Sequence, residues 1–321
     1  MKARANPFDA VVCVPTFKRP EHLVQTLASL ARQRTGLRFA VVVVDNDGAS
    51  QAGLAAAEAV FAKGPLQGQC VVEQRQGNCS AINRAFTTAL AAYPDTRYFL
   101  MIDDDELAQP DWLERMVATA QRTGVGIVGG PVIPRFEPGT RPGLDNHPAF
   151  APAYDKSGPV PVIYGSGNCL ITRRTFALMG APPFDTSYNF LGGGDTDFFT
   201  RARRSGVTFY WEADAVITET VPLARTRTGW LAARGLRIGA VNYRIERKHA
   251  QGSLGLVTLA GKSFAILGVS FGRAILNLVR TREPTIALHP ILVALGRCFA
   301  ALGIEPQPYR ASTPRLRTRG R

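Results

Sequence analysis

Through the first third of the chain, short apolar runs alternate with stretches whose apolar residues recur at helical spacing. AVVCVP at residues 10–15 stops at a proline, and FAVVVV at 39–44, CVVE at 70–73 and YFLMIDDDE at 98–106 follow it. Short apolar runs bounded by polar residues read as strands buried on both faces of a parallel sheet. Between them, residues 20–33 open with Pro20 and carry Leu23, Leu27 and Leu30, and residues 51–62 and 80–93 also read as helices. Strands alternating with helices require crossover connections, so this part is predicted to be α/β with a mostly parallel sheet.

Beyond residue 106 the pattern is less regular. Residues 125–134 form a strand candidate with Gly129-Gly130, while 135–160 are rich in Pro and Gly and predict an irregular loop that could fold over the acceptor side. YGSGN at 164–168 leads into the apolar run at 169–171, either as a tight turn or as a substrate contact. Residues 208–211 and 215–217 read as closing strands, and 225–230 begin a basic helical stretch. Two long apolar segments follow. Lys262 and Arg273 interrupt the one at 254–279, and His289, Pro290 and Arg297 interrupt the one at 286–304. A spanning helix needs about 20 mostly apolar residues. Apolar helices with spaced cations fit an interfacial position on an anionic bilayer, with packing on the catalytic domain or a partner subunit as the competing arrangement.

Charge sharpens this division. From residue 222 onward there are 17 Lys and Arg against 3 acids, whereas residues 1–221 hold 21 against 22. The net charge of +13 therefore belongs to the last hundred residues, a composition that attracts anionic lipid or nucleic acid. Tyr309 is the only aromatic residue after Phe299, which disfavours nucleic acid as the partner. The five cysteines are odd in number and lack CxxC spacing, so buried reduced thiols in the cytosol are expected. Residues 1–9 contain no apolar core of a secretory signal.

Candidate chemistry gathers at the predicted strand ends, where ligands of parallel sheets bind. Thr16 and Arg19 follow the first strand, Asp45 and Asp47 end the second, and Asp103, Asp104 and Asp105 end the fourth. If residues 103–105 stay extended, Asp103 and Asp105 share one side and Asp104 faces the other. Two carboxylates on one side suit a hard divalent cation that also holds substrate phosphates. An ordinary acidic surface turn is the competing reading. No GxGxxG or GxxxxGK loop is present, so phosphates must be held by metal and basic side chains.

The ordered series VPTFKRP, VVDNDGAS, QGNCSAINRAF, FLMIDDDE, YGSGNCLITRRTF and FLGGGDTDFFTRARRSG resembles family 2 glycosyltransferases of the GT-A fold, over about residues 10–235. Within that family the chain is similar to succinoglycan-type bacterial exopolysaccharide enzymes. The resemblance implies a GT-A mixed sheet flanked by helices, and inverting transfer of a hexosyl group from a nucleotide-diphosphate sugar with Mg²⁺ or Mn²⁺. It also implies that Thr16, Arg19, Asp45, Asn83 and Arg84 surround the donor nucleotide. Asp105 is then the main metal ligand, with Asp103, as the other end of the DXD motif, in the metal set. Asp103 and Asp104 face the ribose or donor sugar. Family members often carry Glu-Asp where this chain has Gly194-Asp195, which leaves Asp195 or Asp197 as general base; Asp195 aligns with the family's base. The full QxxRW element of polymerising relatives is absent, so one sugar per acceptor is expected.

On this reading residues 1–250 form the catalytic domain and 251–321 a basic, apolar helical tail that holds the enzyme at the inner face of the cell membrane. The partners are a nucleotide-sugar donor, a glycan or polyprenyl-linked acceptor, and anionic lipid. Two other readings of the residues are a sugar-1-phosphate nucleotidyltransferase and a non-catalytic protein that binds membrane or nucleic acid through its tail.

Overall fold

In the computed structural model of the chain, residues 8–304 are described. The chain opens with β1 (Ala10–Thr16), α1 (Pro20–Ala31), β2 (Phe39–Asp45), α2 (Ala52–Lys63), β3 (Gln67–Val72), α3 (Asn78–Ala92) and β4 (Tyr98–Met101). It continues with β5 (Glu106–Ala108), α4 (Trp112–Thr123), β6 (Ile127–Gly129), β7 (Val132–Phe136), β8 (Gly158–Val160), β9 (Cys169–Thr172) and α5 (Arg173–Met179). Then come α6 (Gly194–Arg204), β10 (Phe209–Trp211), β11 (Ile217–Val221), α7 (Thr228–Lys248), α8 (Gly252–Thr281) and α9 (Pro284–Ala301).

The first four strands form the predicted parallel unit, β1 lying between β2 and β4 with β3 outside β2. All seven residues of β1 are buried because both faces are covered. Val11 and Cys13 enter one core with Phe86 and Phe99, and Ala10, Val12 and Val14 enter the other with Leu23, Leu27 and Trp112. Two-sided burial explains why the sequence shows continuous apolar runs instead of alternation. β9 runs antiparallel between β4 and β6, so the eight-stranded sheet is mixed, in the order β3-β2-β1-β4-β9-β6-β10-β8. A second sheet, β5-β11-β7, sits immediately beyond the end of β4.

Residues 135–160 hold more structure than their composition predicts. They contribute Leu144, Ala149 and Phe150 to a small core with Val221 and Leu231. The His147 ring also meets His289 of α9 edge-on at 5.2 Å.

The C-terminal helices form a bundle whose closest contact needs glycine. A Cβ on Gly239 would lie 1.9 Å from the Val293 carbonyl oxygen, and one on Gly296 would lie 1.9 Å from that of Leu236. The α7 and α9 backbones therefore touch, and any side chain at either position forces them apart. Two of the cations that interrupt the apolar runs converge on one carboxylate: Glu246 accepts from Arg297 at 2.8 Å and from Lys262 at 2.9 Å. Arg297 is buried. Outside the bundle, α8 presents Leu254, Val257, Phe264, Phe271, Ile275 and Val279 to solvent, each more than half exposed. By length and composition alone, α8 and α9 are each apolar enough to cross a membrane.

The buried His289 is held well below the ordinary histidine range, at about 4, by burial and by the nearby His147 and Arg234. A lowered folded-state value means the unfolded chain takes up the proton first. The stabilising contribution of neutral His289 is thus complete above about pH 6.5 and fades as pH falls toward 4. The stability difference between wild type and His289→Gln is expected to shrink between about pH 7 and pH 5 in thermal melts. A pH-independent difference would show that His289 does not titrate in this way.

Candidate active site

β4 carries its apolar residues to the sheet edge, and the chain then turns at Asp104-Asp105 before entering β5. The carboxylates therefore do not continue an extended strand, although Asp104 still separates from its neighbours. Its carboxylate accepts from the Thr16 hydroxyl at 2.7 Å, from the Phe17 amide at 3.4 Å and from Arg19 at 3.4 Å, which ties it to the tip of β1. Asp105 accepts from the Arg19 guanidinium at 2.5 Å and has Arg225 at 3.9 Å. Inside the turn, the Thr26 hydroxyl lies 2.9 and 2.8 Å from the carbonyls of Asp104 and Glu106. Thr26 on α1 thus fixes the bend that aims the acidic residues.

Glu106 and Glu219 complete the cluster, and the sequence pattern had given neither a role. The Glu106 carboxylate accepts from the Asp103 amide at 2.7 Å, against Gly167, where a Cβ would come within 2.5 Å of it. Glu219 faces Glu106 across the β5–β11 ladder and accepts from Arg225 at 2.6 Å. Packing so many carboxylates together has a clear electrostatic result. Burial, followed by Asp105, Asp104, Glu219 and Asp195, pushes the Asp103 carboxyl well above its usual range. Burial and then Asp103 do the same to Glu106, and burial and then Asp105 raise Glu219. Arg19 and Arg225 partly offset this negative charge.

Such a site favours a further cation. Among the described residues, no three His, Cys, Asp or Glu side chains converge as a ready ligand set. Mg²⁺-like ions need only one or two protein carboxylates when substrate phosphates supply other ligands. Asp105 and Asp103 are the residues suited to the task. In the structure the Arg19 guanidinium rests on Asp105.

Asp195 is near enough for its charge to contribute to the upward shift of Asp103 and of the buried Cys169 thiol on β9. Gly192 and Gly193 have φ of +82° and +85°, a left-handed conformation that glycine adopts without strain, and they lead into α6. Asp195 occupies the first turn of that helix, partly exposed, and accepts from the Thr196 amide at 2.8 Å. The absence of a side chain at Gly194 also has a physical reason, since a Cβ there would come within 2.2 Å of the Cys79 sulfur. Asp197 differs sharply from Asp195. It is fully buried and bound by Arg201 at 2.8 Å and Lys248 at 2.9 Å, so it joins α6 to α7.

The other sequence candidates separate in the same way. Asp45 is completely buried and accepts from the amides of Asp47 and Leu54, each at 2.9 Å, so it shapes the loop into α2. The Asp47 carboxylate accepts from Ser50 at 2.6 Å. Asn83 commits both ends of its amide to the Phe184 backbone, at 2.7 and 2.9 Å. Arg84, one residue on, is exposed. Asn168, within the YGSGN stretch, accepts from the Trp112 indole at 2.8 Å and donates to the Pro131 and Ala215 carbonyls at 2.9 and 2.8 Å.

Comparison with known proteins fits this geometry. The sequence profile described as "Glycosyl transferase family 2" matches residues 11–178. The succinoglycan biosynthesis protein ExoM of Rhizobium meliloti is 34% identical over 266 residues, 79% of this chain and 80% of that protein. Among solved structures, a mannosyltransferase from Pyrobaculum calidifontis, in complex with GDP-Man and Mn²⁺, superposes with a TM-score of 0.58. It is 20% identical, and the match covers 92% of this chain and 88% of that one. Residues 1–349 of TarS from S. aureus, in complex with UDP, superpose with a TM-score of 0.50 at 15% identity, covering 92% of each chain. These solved structures share the GT-A fold with this chain.

The contacts of Asn83 and Arg84 lead to a direct test. Asn83→Ala strands the buried Phe184 amide and carbonyl, and is expected to cost about 1–3 kcal/mol in denaturant unfolding. Arg84→Ala, at an exposed site, is expected to change stability by less than about 0.5 kcal/mol. Equal effects of the two substitutions would show that the Asn83 clamp does not support the fold.

Proposed function

The chain belongs to glycosyl transferase family 2, and on that premise we propose that it transfers a hexosyl group, with inversion, from a nucleoside-diphosphate donor. The acceptor is a glycan or lipid-linked hydroxyl, and the setting is exopolysaccharide synthesis, as for the ExoM relative. The observation that supports this reading is the nearness of Asp195 to the acidic turn after β4: its charge acts on Asp103, while Asp197 is already committed to Arg201 and Lys248.

Asp195 is the general base. Its carboxylate takes the proton of the acceptor hydroxyl while that oxygen bonds to the anomeric carbon, and the bond from that carbon to the diphosphate oxygen breaks on the opposite face. A single displacement of this kind inverts the anomeric configuration. Asp105, with Asp103, would hold Mg²⁺ or Mn²⁺, which supplies Lewis-acid stabilisation of the departing diphosphate. Arg225, 2.6 Å from Glu219 and 3.9 Å from Asp105, is placed to bring positive charge to the same oxygens. Thr16 keeps Asp104 oriented, so the turn presents a fixed face to the donor. The neighbours solved with GDP-Man and Mn²⁺ and with UDP support a nucleotide donor.

Residues 1–250 act as the catalytic domain, and the segment from 251 holds it at the inner face of the cell membrane. Its part beyond residue 304 lies outside the described residues. The exposed apolar face of α8 rests in the interface of an anionic bilayer, and the exposed Arg273, Arg280 and Arg282 meet its head groups.

Two experiments test these proposals. Asp195→Asn is expected to lower transfer by about 10²–10⁴-fold with the fold intact, and Asp105→Ala by at least as much. Nucleoside diphosphate release from a panel of nucleotide sugars, with acceptor and Mn²⁺ present, gives the readout, and full activity in either variant removes that residue from the mechanism. For the membrane contact, Phe264→Asp with Phe271→Asp is expected to abolish co-flotation with phosphatidylglycerol liposomes. Undiminished flotation would assign membrane binding to another surface.

A further inference from the structure

A basic site lies beside the loop that leads to Asp195, apart from the acidic residues proposed to hold donor and metal. It is a groove of about 570 Å³ between the 185–188 turn and the last two turns of α7. Tyr188, Tyr243, Arg244, Arg247, Lys248 and Asp185 line it, three cations against one carboxylate. The Tyr188 ring forms its floor, with the Arg244 guanidinium 5.0 Å and the Lys248 ammonium 5.7 Å from the ring centroid. Lys248 is anchored by Asp185 at 2.8 Å and Asp197 at 2.9 Å, which orders the basic wall before any ligand arrives.

Position gives this groove its meaning. Behind Tyr188 lies the base loop, since a Cβ on Gly194, the residue before Asp195, would be 3.6 Å from the Tyr188 Cβ. Val241, one turn of α7 earlier than Arg244, packs against Gly193 of the same loop. At its other end the groove meets the α7–α8 connection, after which Leu254, Leu256 and Val257 begin the exposed apolar face of α8. Within a short span the surface passes from a general base to a cationic groove and then to an apolar helix face. An amphiphile with a hydroxyl-bearing head, an anionic link and an apolar chain presents these three chemistries in the same order.

We propose that this groove binds the phosphate or diphosphate of a membrane-borne acceptor, placing its sugar at Asp195 and its apolar chain along the start of α8. This rests on the transferase reading above and specifies its acceptor. Arginine suits the role because its planar fork pairs with phosphate oxygens, while the lysine contributes a point charge.

The test uses the full chain and phosphatidylcholine vesicles carrying, at equal surface charge, either phosphatidylglycerol or a polyprenyl diphosphate. Wild type is expected to bind the polyprenyl diphosphate vesicles about tenfold more tightly, with inorganic pyrophosphate competing that preference away. Arg247→Glu, at an exposed position, and Arg244→Gln are expected to bring the ratio of the two affinities close to one. A ratio near one in wild type, or an undiminished ratio in the folded Arg247→Glu chain, would overturn the proposal. Binding of inorganic pyrophosphate without any vesicle preference would assign the groove to a soluble anion and would also overturn it. Mn²⁺-dependent binding of GDP or UDP by wild type, measured alongside, tests the transferase reading separately. Binding of nucleotide without vesicle preference therefore removes this acceptor proposal alone.

Discussion

Mutual repulsion among buried carboxylates is the constraint on which this molecule's chemistry rests. Asp103, Glu106 and Glu219 are each raised by burial and by neighbouring carboxylates, with Asp105 acting on all three. Such a cluster ionises only against positive charge. Arg19 and Arg225 supply part of it, and the remaining imbalance suits a divalent ion arriving with a diphosphate. The fold brings the cluster together by ending β4 where β5 begins and by setting Glu219 opposite Glu106. Thr16, Thr26 and Gly167 then hold the turn in place, so the charges cannot relax by moving apart.

Helix α7 connects this centre to the rest of the molecule. Its early part lies beside the acidic cluster, where Arg234 acts on Glu219, and its middle packs Val241 against the base loop. Its end supplies Lys248 to Asp197 and Arg244 to the Tyr188 ring. On another face, Gly239 allows the backbone of α9 to touch it. The helices beyond residue 251 are thus built onto the element that borders the cleft, and whatever positions them also positions the acceptor side. Of the charges that break up the apolar pattern in sequence, Arg297 is buried and Lys262 is tied to Glu246, while Arg273 stays exposed on α8.

Much of this was legible in the residues. Two-sided burial writes continuous apolar runs, so β1, β2 and β4 were visible, as was the acidic strand end. The antiparallel insertion of β9 was not, because a four-residue strand carries no signal of its direction. The patterns around Asp45 and Asn83 carry no sign of their partners within the fold: Asp45 accepts from the amides of Asp47 and of Leu54 in α2, and Asn83 clamps Phe184, 101 residues away. Glu106 and Glu219 went unassigned because their importance arises from pairing between β5 and β11. Gly194 had looked like a departure from the family pattern. It is explained only when Cys79 is seen to occupy the space a side chain would need.

The most direct measurement is the anomalous scattering of manganese in crystals grown with Mn²⁺ and a nucleoside diphosphate. The account predicts one strong peak bonded to Asp105 and to the diphosphate, Arg19 withdrawn from that carboxylate, and Asp195 facing the same cleft. A manganese ion bound away from residues 103–105, with Arg19 still paired to Asp105 and the nucleotide in place, would contradict it.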